Sequence, residues 1–202
     1  MKVKMIHIPK CAGVTIKTIL SQYPNFYECI DHTYGVNNDL KGFFSFIIVR
    51  NPWDRLWSGY NFLKNGSDYK GPKPNTLVNK AFPDFIKHIY DNKLYNASIS
   101  KRTGSDLIYH KQSNWILDDD GNQLVDYIAR FENLDALFQL METDMGMVGC
   151  KELFKSTHLN KSKKSNPYTE AYDKESIELV REMYANDIEL FNYTFNENNR
   201  SI

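Results

Sequence analysis

Long apolar runs alternate with amphipathic segments along this chain, in the order typical of an α/β protein. The run from Val3 to Ile8 is short and mainly apolar and predicts a buried strand, and the run at 43–49 is almost wholly apolar, as expected for a strand buried on both faces of a parallel sheet. Strands are predicted at residues 2–8, 25–30, 43–49 and 124–131. The pattern predicts an α/β protein with a mainly parallel central sheet flanked by helices, in a single domain over residues 1–202.

Between and after these strands, apolar residues recur at helical spacing. Helices are predicted at residues 13–22, 53–64, 81–92, 133–145 and 173–191. The third is expected to bury Phe82, Phe85, Ile86 and Ile89, the fourth Leu134, Leu137, Phe138 and Met141, and the last Ile177, Val180, Tyr184, Ile188 and Phe191. Asn133 is expected to cap the fourth helix. Residues 65–79 are rich in Gly, Pro, Asn and Lys, which predicts a loop that is either a functional flap or plain disorder.

The connection between the first strand and the first helix carries Lys10 and Gly13 among small residues. A strand–loop–helix turn of this kind directs backbone N–H groups and the positive end of a helix dipole to one point, which favours an anion. The turn is not a Walker A loop, because that pattern places its Lys after the last Gly. Taken alone, such a turn is a weak signal and more often an ordinary strand–helix connection.

A second polar position follows the strand at 43–49. Arg50 stands at its carboxyl end, and Asn51-Pro52 then stops the strand and opens a helix. Ligands of open α/β sheets lie beyond the carboxyl ends of the strands, so Arg50 and Lys10 are expected to face the same crevice. Ser58, further along the helix, could add a hydroxyl to an anion held by Arg50.

Composition indicates which partners and which cellular compartment to expect. The chain has 25 basic and 25 acidic residues and a formal net charge of zero, which argues against nucleic acid as a partner. Three cysteines are too few for a disulfide framework. No three His, Cys or acidic residues have the sequence spacing of metal ligands, so no metal site is expected. No signal peptide or membrane-spanning apolar run is recognisable, so a cytoplasmic location is expected.

Two segments together resemble known motifs. Residues 7–15, His-Ile-Pro-Lys-Cys-Ala-Gly-Val-Thr, resemble the 5′-phosphosulfate-binding loop of sulfotransferases, and residues 50–60 resemble their 3′-phosphate-binding segment. The resemblance is to the type that includes Golgi carbohydrate sulfotransferases and bacterial relatives. Weaker matches follow at residues 112–115, 128–134, 158–162 and 184–193, so it spans nearly the whole chain. Cys11 and Val14 depart from the family pattern, which usually has Thr at both positions.

The resemblance implies a P-loop-like sulfotransferase fold and 3′-phosphoadenosine 5′-phosphosulfate (PAPS) as sulfuryl donor, without a metal. It places Lys10 on the bridging and sulfuryl oxygens as a catalytic residue. It assigns the 5′-phosphosulfate to the loop residues Lys10, Cys11, Ala12, Gly13, Val14 and Thr15. It assigns the 3′-phosphate to Arg50 and Ser58, and further phosphate contacts to Lys161 and Ser162.

The acceptor side is less defined. The resemblance implies a hydroxyl acceptor, a carbohydrate or other small molecule, and a base near the end of the second strand, for which His32 is the first candidate. Asp31 and His158 remain alternatives. A nucleotide kinase of similar fold and a non-catalytic nucleotide-binding module are the competing hypotheses, and the oligomeric state stays open. His7 on the first strand is expected to be a core residue.

Overall fold

A computed structural model describes residues 1–31, 40–65, 79–96, 106–157 and 167–196. Within these ranges the chain is an α/β protein whose sheet contains four parallel strands in the order β2-β1-β3-β4. The strands are β1 (Val3–His7), β2 (Phe26–Asp31), β3 (Phe44–Val49) and β4 (Tyr127–Arg130). The predicted α/β class with a mainly parallel sheet flanked by helices is confirmed.

Burial along the strands follows their place in the sheet. All five residues of central β1 are buried, and β3 is buried from Ser45 to Val49. In β4, at the edge, Ala129 is the buried residue and its neighbours are half-buried. The strand β4 covers four residues, fewer than the eight predicted over 124–131.

The residues cluster into two compact units. Unit 1 contains residues 1–50, 114–161 and 198–202, and unit 2 contains residues 51–113 and 162–197. Unit 1 holds the sheet and helices α1 (Gly13–Leu20), α4 (Leu134–Asp144) and α5 (Cys150–Ser156). Unit 2 holds α2 (Pro52–Asn65), α3 (Phe82–Asp91), α6 (Lys174–Met183) and α7 (Ala185–Phe191). That residues 1–202 form a single domain stays a prediction.

Two of the predicted helical faces are confirmed residue by residue. The buried residues of α3 are Phe82, Phe85, Ile86 and Ile89, and those of α4 are Leu134, Leu137, Phe138 and Met141. Asn133 does occupy the N-cap position of α4, but its side chain makes no capping hydrogen bond, so the predicted side-chain cap is wrong. The short helix α5 was not predicted.

The predicted last helix, 173–191, is wrong as one continuous element. It is divided at Tyr184, whose φ of −115° and ψ of 27° lie outside the helical region. Tyr184 is 1% exposed and its hydroxyl donates to the Tyr109 carbonyl at 2.5 Å. After the break, α7 turns a different face to the protein interior than a continuous helix would. Asp187 is fully buried and Ile188 is half-buried.

Asp187 is buried in unit 2 as a hydrogen-bond acceptor. Its carboxylate accepts from the backbone N–H of Gln112 at 2.6 Å and of Ser113 at 2.9 Å. Burial raises the pKa of Asp187, while these two hydrogen bonds and the positive charge of Arg55 oppose the rise. Arg55 is 2% exposed and donates to the carbonyls of His110 and Leu107, at 2.8 and 3.1 Å. The two charged residues therefore organise the chain from 107 to 113.

None of the helices in the described ranges combines the length and the apolar character needed to cross a lipid bilayer.

Candidate anion-binding active site

The candidate site lies at the carboxyl edge of the sheet in unit 1. Strands β1, β3 and β4 are neighbours and run parallel, so the residues that follow them emerge at the same edge. Lys10 follows β1 closely, Arg50 comes directly after β3, and Phe131 directly after β4. The Phe131 N–H donates to the Val49 carbonyl at 2.7 Å, which extends the pairing of β3 and β4 to this edge.

The loop between β1 and α1 has an unusual backbone. Lys10 and Ala12 have φ values of 69° and 62°, in the left-handed region that residues other than Gly, Asn and Asp seldom adopt. Such conformations cost free energy and persist at ligand-binding sites where surrounding contacts impose them. The loop can therefore turn sharply into α1 immediately after a buried strand.

The start of α1 favours an anion. Its N-cap is Ala12, which has no side chain that could cap the helix, and the first turn contains no acidic residue. The first N–H groups of a helix have no acceptor within the helix, and the helix dipole places partial positive charge there. A phosphate or sulfate group matches both properties.

The loop side chains point in different directions. Cys11 is 1% exposed and its Sγ lies 3.8 Å from the Pro9 carbonyl, while Val14 is 51% exposed and Thr15 is buried. At position 11, where the family pattern has Thr, the side chain therefore faces the interior. A ligand at this loop would meet the backbone of Cys11 and the N-terminal turn of α1.

Lys10 is half-buried, and its pKa is lower than that of an exposed lysine. Burial is the main cause that lowers the pKa of the Lys10 ammonium to about 8, and the positive charge of Arg50 lowers it further. Cys11 acts in the opposite direction and more weakly. At pH 7 the ammonium is still mostly protonated, held beside a second cation. A polyanionic ligand would relieve this repulsion.

Arg50 is joined to the loop directly. It is 8% exposed, and its Nη1 donates to the Lys10 carbonyl at 2.9 Å. Its Cζ lies over the ring of Phe131, 4.2 Å from the ring centroid. Lys10 and Arg50, predicted from separate motifs to face one crevice, are thus brought together by a hydrogen bond.

His7 packs against Gly13. A Cβ atom at Gly13 would overlap Cδ2 and Nε2 of the His7 ring, and His7 is itself buried at the end of β1. Glycine at position 13 therefore allows the start of α1 to approach β1 closely. His7 lies in the core, as expected, and directly beneath the anion-binding loop.

Gly13→Ala is expected to displace the loop, because the imidazole ring cannot move away without disturbing the buried end of β1. We expect a loss of about 2–3 kcal/mol in the free energy of unfolding and weaker anion binding. Urea unfolding of Gly13→Ala, His7→Ala and the double variant would test this. Recovery of stability in the double variant relative to Gly13→Ala is expected, whereas strictly additive losses would show that the two residues do not oppose each other.

The remaining predicted site residues are placed as follows. Ser58 is half-buried in α2, which belongs to unit 2. Asp31 is the last residue of β2 and pairs with His7 in the sheet. His32, His158, Lys161, Ser162 and nearly all of the loop at 65–79 lie outside the described residues. The roles assigned to all of them stay predictions.

Sequence reasoning missed the role of Phe131 beside Arg50. The only available signal was its place in the resembling segment 128–134, where an aromatic residue follows an edge strand. It also missed Asp187 as a buried acceptor, since a carboxylate within an amphipathic helix ordinarily faces water. Among the described side chains, no group of three or more His, Cys, Asp or Glu residues is arranged to hold a metal ion.

The fold and the site define an α/β protein whose parallel sheet carries, at its carboxyl edge, a cationic loop that is a candidate anion site. The family model for sulfotransferases matches residues 2–194, and the chain belongs to that family. Comparisons with curated proteins and with solved structures produced no match.

Proposed function

We propose that this chain transfers a sulfuryl group from PAPS to a hydroxyl group of a carbohydrate acceptor. The observation that carries the proposal is the hydrogen bond from the Arg50 side chain to the backbone carbonyl of Lys10, which brings a second cationic residue to the loop before α1, whose N-cap makes no side-chain hydrogen bond. An ordinary strand–helix connection needs no such concentration of positive charge. A sulfuryl donor that carries both a phosphosulfate and a separate phosphate would match this positive charge.

The residues of the loop fit the donor in charge and in hydrogen-bonding character. Lys10 and the first turn of α1 would hold the 5′-phosphosulfate, because both favour a compact anion. Arg50 would hold the 3′-phosphate, together with Ser58, because a planar guanidinium binds phosphate oxygens in a fork. Lys161 and Ser162 are proposed as further phosphate contacts on the basis of the family resemblance.

The proposed reaction is an in-line displacement at sulfur. PAPS supplies the sulfuryl group, and adenosine 3′,5′-bisphosphate (PAP) is the leaving group. His32 takes the proton of the acceptor hydroxyl as the new oxygen–sulfur bond forms. Lys10 stabilises the negative charge that develops on the bridging oxygen as the old sulfur–oxygen bond breaks. Asp31 or His158 would take the place of His32 if the latter is not the base.

The cofactor site can be tested before the acceptor is known. Calorimetric titration with PAP, ADP and ATP should show a preference for PAP in the wild type. Arg50→Ala should weaken PAP binding by about 10- to 100-fold, because a charge-assisted hydrogen bond to phosphate is lost. Arg181→Ala, which removes an exposed Arg of α6 paired with Glu178, is the matched control and should leave PAP binding unchanged.

The result also separates the proposal from its main rival. Equal or tighter binding of ATP, especially with Mg²⁺, would reject the sulfotransferase proposal in favour of a nucleotide kinase. If PAP is preferred, transfer from labelled PAPS to a panel of carbohydrate and small-molecule acceptors follows. In that assay His32→Ala is expected to abolish transfer while leaving PAP binding intact, and a non-catalytic module would show no transfer to any acceptor.

A further inference from the structure

We propose that Phe131 is a positioning residue of the donor site, which holds the Arg50 guanidinium against the Lys10 carbonyl and thereby sets the selectivity for a 3′-phosphate. The inference rests on the proposed function in one respect, since it assigns the 3′-phosphate to Arg50. What it adds is a residue that acts through Arg50.

The contact between Phe131 and Arg50 is anchored at both ends. Arg50 Cζ lies over the Phe131 ring, 4.2 Å from its centroid, and the Phe131 N–H donates to the carbonyl of Val49 at 2.7 Å. Val49 directly precedes Arg50 in the chain, so the ring and the guanidinium are both tied to the end of β3. The ring therefore has a defined position relative to the backbone of Arg50.

Packing of this kind restricts the guanidinium without occupying its donors. The N–H groups of Arg lie in the plane of the group, whereas an aromatic ring attracts the cation through its face. One in-plane donor, on Nη1, is directed at the Lys10 carbonyl. The same orientation therefore organises the loop at Lys10 and prepares Arg50 for a planar, bidentate interaction with phosphate.

Phe131 is not a typical core residue. It is half-buried, whereas Ala129 and Leu134, close to it in the chain, are each 2% exposed. The fully buried apolar side chains in this part of the chain are thus its neighbours, while the ring of Phe131 packs against the Arg50 guanidinium. Without the ring, Arg50 would regain side-chain freedom that phosphate binding must then remove.

The chain offers a matched control in Phe43, the residue before β3. The ammonium of Lys4 lies over the Phe43 ring at 4.2 Å, the same centroid distance as in the Arg50–Phe131 pair. Both rings are half-buried in unit 1, but Phe43 is at the amino end of β3 and Phe131 is beside its carboxyl end. Phe43→Leu therefore removes an equivalent aromatic–cation contact away from the candidate site.

The first measurement is the ratio of dissociation constants for 5′-AMP and PAP, which isolates the contribution of the 3′-phosphate. Phe131→Leu should weaken PAP binding about tenfold and 5′-AMP binding much less, so the ratio falls. Phe131→Tyr, which keeps the aromatic face, should retain the wild-type ratio, and Phe43→Leu should leave it unchanged. Equal losses for both ligands, or an unchanged ratio in Phe131→Leu, would overturn the proposal.

The second measurement needs no nucleotide. If Phe131 holds Arg50 beside Lys10, its removal should let the guanidinium move away and raise the pKa of Lys10 from about 8. The pH dependence of Lys10 acetylation, followed by mass spectrometry in wild type, Phe131→Leu and Phe43→Leu, reports this pKa. A wild type that does not prefer PAP would reject the proposed function, and the Lys10 profile would still decide whether Phe131 positions Arg50. An unchanged profile in Phe131→Leu would overturn that positioning role.

Discussion

Lys10→Met is expected to abolish sulfuryl transfer and, at the same time, to make the ligand-free protein more stable. Loss of the ammonium removes the charge that is proposed to stabilise the leaving group, for which we expect a fall of about 10³-fold in kcat. Met is unbranched and similar in length, so it meets the same positive φ of 69° at position 10 without additional bulk. The two effects are expected to have opposite signs because the charge has a role in the proposed reaction, whereas its burial beside Arg50 disfavours the folded state.

The stability gain follows from the pKa of Lys10, which falls from its ordinary value of 10.5 to about 8, mainly because the group is buried and then because Arg50 is nearby. The folded state thus binds this proton less tightly than the unfolded chain, and keeping the ammonium charged destabilises the fold. Each pKa unit corresponds to about 1.4 kcal/mol. Because Lys10 is only half-buried and solvent screens part of its charge, we expect less than the full value, a gain of about 1–3 kcal/mol at pH 7.

The pH dependence of the stability gain in Lys10→Met tests whether the lowered pKa of Lys10 causes it. Between pH 8 and 10.5 the Lys10 side chain is protonated in the unfolded chain but largely deprotonated in the folded protein. The stability of the wild type therefore rises with pH in this window. The advantage of Lys10→Met should therefore be largest below about pH 8 and should shrink as the pH approaches 10.5. Urea unfolding at pH 7, 8.5 and 10 would measure it.

Lys41→Met is the control for Lys10→Met, because Lys41 is exposed in the same unit and its loss removes the same charge. It should change neither transfer nor stability appreciably. Destabilisation of Lys10→Met at pH 7 would contradict the argument and show that the ammonium contributes to the fold. Retained transfer in Lys10→Met would remove Lys10 from the proposed mechanism.

Asp187→Ala is expected to destabilise unit 2 strongly, by about 3–5 kcal/mol. The substitution deprives the N–H groups of Gln112 and Ser113 of their buried acceptor, and each such loss is costly. It also removes the negative charge that acts on buried Arg55, and a buried charge without its counterpart is a known source of large losses. Asp187→Asn keeps one acceptor oxygen and should show a smaller loss.

Chemical denaturation with tryptophan fluorescence would measure these losses, since Trp53 is buried in the same unit. Asp135→Ala provides the comparison, because its 3.3 Å ion pair with Lys151 is partly exposed and such pairs contribute less than about 1 kcal/mol. If Asp187→Ala lost no more stability than Asp135→Ala, the buried acceptor would not be organising the chain from 107 to 113.

Several elements were predictable because their signal is local. The strand at 43–49 is a nearly continuous apolar run, which in an α/β chain points to a strand buried on both faces. The four apolar residues of α3 recur at helical spacing, and all four are buried in the fold. The motifs at 7–15 and 50–60 predicted the sulfotransferase family, and the family model matches residues 2–194, whereas the anion site in the loop after β1 stays a prediction.

Other features depend on contacts between residues far apart in sequence. The helix predicted over 173–191 is interrupted where Tyr184 donates to Tyr109, 75 residues away, and Asp187 turns inward because the N–H groups near 112 need an acceptor. Apolar periodicity within one segment contains no information about such partners.

Sequence alone thus determined the α/β class, the family, and the positions of Lys10 and Arg50 after two apolar strands. Only the tertiary structure decided that Arg50, 40 residues from Lys10, donates to its carbonyl and lies over Phe131, and that burial lowers the pKa of Lys10. The physical reason is that strand and helix propensities act between near neighbours in the chain. Burial, charge proximity and hydrogen-bond geometry arise only when the sheet brings the ends of separate strands together.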